Sequence, residues 1–227
     1  MNDKPRLPNN SNRIAILGRT GSGKTQAAVW LLSRQNFFRT PYVVLNFKGD
    51  ELIDSIPGAE HVELGYVPKH GGIYIVHPLP AATEEMQAYL WKLWERQNVG
   101  IFVDEGYMLS DDAAFQALLT QGRSRRIPMM VLSQRPSWIT RFAFTEAQFV
   151  QLFSLTDRRD LKTVAQFVSY DGIEELSLPE YHSLYFDVAR NRSWILKPVP
   201  SEDKILGAIE RRFQEHEASK RRQVVKI

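Results

Sequence analysis

Ile14-Ala15-Ile16-Leu17-Gly18-Arg19-Thr20-Gly21-Ser22-Gly23-Lys24-Thr25 is the stretch that decides the fold. The apolar run Ile14 to Leu17 reads as a buried strand, and Gly18 to Gly23 as a glycine-rich loop. From Gly23 to about Gln35 the spacing predicts a helix, with Ala27, Ala28, Leu31 and Leu32 facing inward. The loop matches G-x-x-x-x-G-K-[ST] at every fixed position. A strand, a glycine-rich turn and a helix in that order aim backbone N–H groups and a helix N-terminus at one point, which suits phosphate oxygens. Gly18, Arg19, Thr20, Gly21, Ser22, Gly23, Lys24 and Thr25 are therefore the candidate cradle for the phosphates of ATP. Lys24 is expected to reach the β- and γ-phosphates, and Thr25 to hold Mg²⁺.

Outward from this stretch the chain alternates. Tyr42 to Phe47, Ile73 to Val76, Val99 to Val103, Met129 to Leu132 and Phe149 to Leu155 read as further strands. Helices are expected between them. Thr83 reads as the cap of a helix that buries Met86, Leu90, Leu93 and Trp94. Ser110 reads as the cap of the next, with Asp111 and Asp112 at its positive end and Gly122 at its stop. Thr156 reads as the cap of a helix running to about Val168. This order implies an α/β fold, a mostly parallel sheet with helices on both faces. Ser183 to Val188 and Ser193 to Leu196, flanking Ala189-Arg190-Asn191-Arg192, predict a C-terminal β-hairpin. Ser201 then caps a final helix. The organisation read from the sequence is a flexible arm at 1–12, one domain at 13–200 and a basic helix and tail at 201–227.

Composition narrows the classes. The chain has 227 residues, 43% of them apolar and 24% charged, which suits one globular domain. With no cysteine, disulfides and thiolate zinc sites are excluded. The five histidines show no ligand spacing, so no structural metal is expected. No apolar run approaches the ~20 residues of a membrane span, and the N-terminus lacks a signal-peptide core, so a soluble cytoplasmic protein is expected. The net charge is only +3, but Gly122 to Arg141 holds five arginines and no acid. Such a cluster suits phosphates of a nucleotide or of nucleic acid. A solvated basic face is the other reading.

Two more motifs bear on chemistry. Gly100-Ile101-Phe102-Val103-Asp104-Glu105 places an acid pair at the carboxyl end of a strand, where ligands of α/β sheets bind. Asp104 is expected to orient Mg²⁺, and Glu105 to polarise an attacking water. A phosphotransferase needs no such base for water, so the pair favours hydrolysis. In Ser133-Gln134-Arg135-Pro136-Ser137, Gln134 follows another strand end and can face the same phosphates.

Strand-Asp104-Glu105, then Gln121-Gly122-Arg123-Ser124-Arg125-Arg126, then Ser133-Gln134-Arg135-Pro136-Ser137 together resemble the FtsK–HerA superfamily of DNA-pumping ATPases. The resemblance runs from about Ile14 to Val168. Within that superfamily the bare core resembles the genome-packaging ATPases of membrane-containing icosahedral viruses. Its length and the Leu178-Pro179-Glu180-Tyr181 step into the hairpin are most similar to those of tectiviruses. The resemblance implies a RecA-like P-loop NTPase core, with the Gln134 strand between the cradle strand and the Asp104 strand. It implies ATP and Mg²⁺ as cofactors and double-stranded DNA as cargo. It further implies a homo-oligomeric ring, a hexamer, held by capsid vertex proteins in the virion and made in the host cytoplasm.

Catalytic candidates are Glu105, Lys24, Gln134 and Arg123, the last delivered to a neighbouring subunit; Arg125 and Arg126 are rivals for that role. Arg135, Trp138, Arg141 and Lys69 are candidate DNA contacts, though Trp138 also reads as packing under the sheet. Alternative functions are a phage assembly or secretion ATPase acting on protein, a nucleotide kinase, and a nucleotide-gated scaffold.

Overall fold

The computed structural model describes residues 4–224. Nine strands form one sheet: β1 (Arg13–Leu17), β2 (Tyr42–Asn46), β3 (Glu60–His61), β4 (Ile73–Val76), β5 (Gly100–Asp104), β6 (Met129–Ser133), β7 (Phe149–Leu152), β8 (Ser183–Asp187) and β9 (Arg192–Leu196). Their order is β3-β4-β2-β5-β6-β1-β7-β8-β9. The first seven in that order are mutually parallel, and β8 and β9 add an antiparallel hairpin beyond β7. The expected hairpin is thus present, and the Gln134 strand β6 lies between β1 and β5.

Seven α-helices cover both faces: α1 (Lys24–Ser33), α2 (Glu51–Asp54), α3 (Thr83–Arg96), α4 (Ala113–Gln121), α5 (Phe142–Thr145), α6 (Arg158–Ala165) and α7 (Glu202–Val224). The central strands are buried on every residue, and apolar on nearly all, because both faces are covered, as parallel sheets require. One core layer joins Val43, Leu45, Val103 and Val131 to Leu90, Phe115 and Val164 of α3, α4 and α6. The other joins Ile14, Ile16, Val44 and Phe102 to Ala27, Leu31 and Leu32 of α1 and to Ile205 and Ile209 of α7.

Three helix starts differ from the sequence reading. Ala82, not Thr83, caps α3, because the Ala82 carbonyl accepts the first helical bond from Met86 N–H. Asp112, not Ser110, caps α4: its Oδ1 accepts from Phe115 N–H at 2.8 Å. Ser110 is consumed in the preceding 3-10 turn, and its hydroxyl donates to the Trp138 carbonyl. Asp157, not Thr156, caps α6, accepting from Arg159 N–H at 2.7 Å. In each of the last two cases neighbouring polar residues compete, and the extended backbone at the cap selects one. β7 stops at Leu152, short of Leu155, because the chain then turns across the cradle, where Ser154 O accepts from Arg19 N–H.

The arm expected to be flexible is extended but tied down over residues 4–12. Arg6 clasps the buried Asp187 of β8 through two hydrogen bonds of 2.8 and 2.7 Å. Tyr185 donates its hydroxyl to Arg6 O, and Gln35 donates to Pro8 O. Residues 1–3 lie outside the described residues, as do 225–227 of the basic tail. Among the described residues, no helix is long and apolar enough to cross a membrane.

Candidate functional site

The cradle forms as its glycines require. Gly21 and Gly23 take left-handed backbone angles, φ 72° and 90°, that L side chains rarely adopt. A Cβ on Gly18 would meet Phe153 Cβ and Ser22 Oγ at 2.6 Å, so only glycine lets the loop close over β1. Lys24 opens α1 and is buried. A cavity of about 300 Å³ opens on the loop, lined by Arg19, Gly21 to Gln26, Asp50, Leu52, Tyr181 and Glu202. A larger cleft of about 380 Å³, beside Leu79, Met86 and Met108, contains none of the cradle residues, so size alone does not mark the chemistry.

Asp104 ends β5, one strand beyond β6, and is 1% exposed. Neither of its carboxylate oxygens has a hydrogen-bond partner among the described residues. Burial, then the adjacent Glu105, pushes its pKa up to about 6, against the pull of Lys24 and Lys48. Burial lowers the Lys24 pKa, while Glu105 and Asp104 oppose that shift. A buried, unpartnered carboxylate beside a phosphate cradle is a cation-seeking group. With the hard hydroxyl oxygen of Thr25 in the same loop, the donor set fits Mg²⁺, which takes oxygen ligands and keeps several waters.

Glu105 follows at once, with φ 63° and ψ 60°. Left-handed backbone at a residue with a long side chain costs of order 1–3 kcal/mol and gathers at functional sites. Glu105 is 1% exposed. Its Oε1 accepts from Gln134 Nε2 and pairs with Lys48 Nζ, while Oε2 has no partner among the described residues. Gln134 Oε1 in turn accepts from the Thr20 hydroxyl of the cradle. A chain of contacts thus runs Thr20–Gln134–Glu105–Lys48 across the ends of four adjacent strands, β1, β6, β5 and β2.

The structure therefore brings Lys24, Asp104, Glu105 and Gln134 together at the carboxyl ends of β1, β5 and β6. Two residues of this site were not found in the sequence. Lys48 leaves β2, and Asn46 of that strand lies in register with Asp104. Tyr181 stands over the cradle, its ring 3.2 Å from a Cβ built on Gly23, and is 47% exposed. Both depend on contacts distant in sequence; only the position of Lys48 just past a strand end was a readable signal.

Arg123 lies elsewhere. It sits in the exposed turn between α4 and β6, at the amino end of the strands, where its charge is felt by Arg13 at the start of β1. Five strand residues at ~3.3 Å each separate that end from the cradle. Arg125 stacks on Trp94, its guanidinium 3.2 Å from the ring centre, and Arg126 is exposed with φ 58°. The candidate DNA contacts do not form one patch. Arg135 is held by Asp157 at 2.9 Å and Asp160 at 3.2 Å and lies over Trp138. Trp138 does not pack under the sheet: it is 59% exposed, edge-on to Tyr107. Arg141 is exposed over Phe167. Lys69 is exposed in the loop that enters β4, at the opposite end of the strands from Trp138.

Sheet order, cradle and acid pair define a P-loop NTPase. No family model matches the chain. It is 50% identical over 212 residues to the DNA packaging ATPase P9 of Enterobacteria phage PRD1, covering 88% of this chain and 93% of that protein. Among solved structures, the genome packaging NTPase B204 of Sulfolobus turreted icosahedral virus 2, in complex with AMPPCP, superposes with a TM-score of 0.68 at 16% identity. The match covers 84% of this chain and all of B204. EssC (ATPases 2 and 3) from Geobacillus thermodenitrificans has a TM-score of 0.67 at 13% identity, covering 92% of this chain and 45% of EssC. These two likenesses concern the fold. The identity to the phage protein decides the family: the chain is an ATPase and belongs to the viral DNA packaging ATPases.

Proposed function

We propose that this protein is an ATP-driven motor that moves viral double-stranded DNA into a preformed capsid. The observation that carries this reading is the convergence of Lys24, Asp104, Glu105 and Gln134 on one phosphate cradle, in a chain half identical to a packaging ATPase. Lys24 and the backbone N–H groups of Gly18 to Thr25 hold the triphosphate. Tyr181, an exposed ring beside the cradle, stacks on the nucleoside. Thr25 and Asp104 hold Mg²⁺, which supplies charge neutralisation on the phosphates when bound. Glu105 orients and deprotonates the attacking water through its unpartnered Oε2. Gln134 bridges that base and the cradle, so it passes the state of the γ-phosphate to the Arg135–Trp138 segment. Lys48 pairs with Glu105 and holds its charge in place.

One charge is missing from this constellation. Phosphoryl transfer is accelerated 10³–10⁵-fold by an arginine on the transferring group, and no arginine of the catalytic candidates lies at the γ-phosphate end. Arg123 faces away from its own cradle, so we assign it to the site of a neighbouring copy, in a ring that the resemblance makes a hexamer. Such a ring would stand at the packaging vertex, bound by capsid proteins and free of any bilayer-spanning helix of its own among the described residues.

The test is ATP turnover with and without double-stranded DNA, on material sized as single chain or ring. Phosphate release without an acceptor, raised by DNA and lost with rising salt as backbone binding demands, is expected from ring fractions. Turnover indifferent to DNA would instead favour a motor acting on protein, a use the fold also permits. Phosphate appearing only with an acceptor nucleotide would mean a kinase, and ATP binding without sustained turnover a scaffold.

A further inference from the structure

Away from the cradle, three short elements at the β3 edge of the sheet meet. Asp54 ends α2, His61 ends β3, and His77 follows β4 directly. β3 pairs in parallel with β4, placing His61 opposite Ile75. His77 lies two residues past Ile75, so alternation along the strand puts it on the same face as His61. The two imidazoles lie parallel, 4° apart, with centres separated by 5.6 Å. His77 Nε2 is 3.4 Å from His61 Nδ1 and 3.2 Å from Asp54 Oδ1. All three ligand atoms fall within 4.8 Å of one another.

Two potential ligand atoms, His61 Nδ1 and Asp54 Oδ1, approach His77 Nε2. With both imidazoles neutral and each offering a lone pair, the three atoms can converge on one cation. Zinc binds imidazole nitrogen and carboxylate oxygen at about 2.0–2.2 Å, and a tetrahedron of those bonds has edges of about 3.3–3.5 Å. The two measured separations fall on or near that edge length. Asn46 Nδ2 donates to Asp54 Oδ1 at 2.9 Å and orients the carboxylate, as outer partners of metal ligands do. Imidazole-rich donor sets select zinc and its transition-metal neighbours over Mg²⁺ or Ca²⁺.

We propose that Asp54, His61 and His77 form a binding site for a divalent transition metal, with zinc as its natural probe. The fourth position faces solvent, since the His77 and Asp54 side chains are 43% and 33% exposed. The ion ties α2 and the two-residue strand β3 to β4. It also bears on the nucleotide cavity, because Asn46 bonds both Asp54 and the Asp50 backbone, and Asp50 lines that cavity.

The experiment uses the untagged full chain in millimolar Mg²⁺, which fills oxygen-only sites. Zinc is titrated against a chromophoric chelator, and Co²⁺ is followed by its visible spectrum. One equivalent of zinc per chain is expected, with affinity reduced at least tenfold in His61→Ala and in His77→Ala. One equivalent of Co²⁺ on the native chain is expected to show the intense bands of four-coordinate cobalt. Absence of stoichiometric zinc binding, unchanged affinity in both histidine variants, or only the weak bands of hydrated cobalt would overturn the proposal. The cobalt spectrum needs no variant, so a misfolded mutant does not decide the outcome.

Discussion

At the carboxyl ends of β1 and β5 Lys24, Asp104 and Glu105 are buried, and three of the carboxylate oxygens lack partners among the described residues. At the amino ends of the same strands the arginines of the α4–β6 turn are exposed, apart from Arg125 on its tryptophan. The first end holds two carboxylates against the ammonium groups of Lys24 and Lys48, with Arg19 at the rim of the cavity. The second end offers positive charge with no acid in its own turn. The length of the strands keeps them apart within one chain. In the ring proposed above, the contrast has a use: each copy lends the arginines of its amino end to the cradle of the next.

The sharpest way to break this comparison is to remove one end at a time. Lys24→Ala is expected to abolish turnover, and Arg123→Ala to lower kcat by about 10³–10⁵-fold. Mixed rings of the two variants are expected to regain turnover at interfaces that join an intact cradle to an intact Arg123. Phosphate release from a mixing series measures this, and no rescue in intact rings would sink delivery between copies. Next in size, Glu105→Gln is expected to retain nucleotide binding while hydrolysis falls by about 10²–10⁴-fold, the usual worth of a positioned base. Fluorescent-nucleotide titration beside steady-state turnover separates the two effects.

The smallest effect concerns pH. The Asp104 pKa is raised to about 6, above its ordinary value near 3.9. Between about pH 4 and pH 6 the folded chain therefore holds a proton that the unfolded chain has released. This group's contribution to stability is largest below that window and falls as pH rises through it. Metal-dependent nucleotide affinity should move the opposite way, rising several-fold from pH 5.5 to pH 7.5 as the carboxylate ionises. Thermal melts of the nucleotide-free chain and nucleotide titrations over that range check both signs.

Local sequence revealed the upper end far better than the edge of the sheet. The cradle, Asp104, Glu105 and Gln134 are legible because each sits in a short run whose strand context is carried by its own neighbours. Lys48 was missed because its partner is set by the pairing of β2 with β5, across more than fifty intervening residues. Tyr181 was read only as a step into the hairpin, since nothing in its vicinity says that this segment folds back over the loop. The meeting of Asp54, His61 and His77 is equally tertiary: one residue comes from each of three elements. Cap assignments slipped where two or three polar residues stood in line, as in Ser110-Asp111-Asp112, because the choice rests on backbone angles that the 3-10 turn dictates.

The Arg6–Asp187 clasp has a practical side. Asp187 has no exposure; burial, the largest single influence, raises its pKa, but the Arg6 hydrogen bonds, the Arg190 N–H and the charges of both arginines together hold it below the ordinary carboxylate value. The opening residues thus act as a latch on the last two strands, 181 positions away. Trimming the chain to begin at the first strand would remove the nearer of the two arginines paired with this sealed-in charge, leaving Arg190 at 3.7 Å, and would leave the Tyr185 hydroxyl without its acceptor. Residues that precede the first strand thus belong to the packing at the far edge of the sheet.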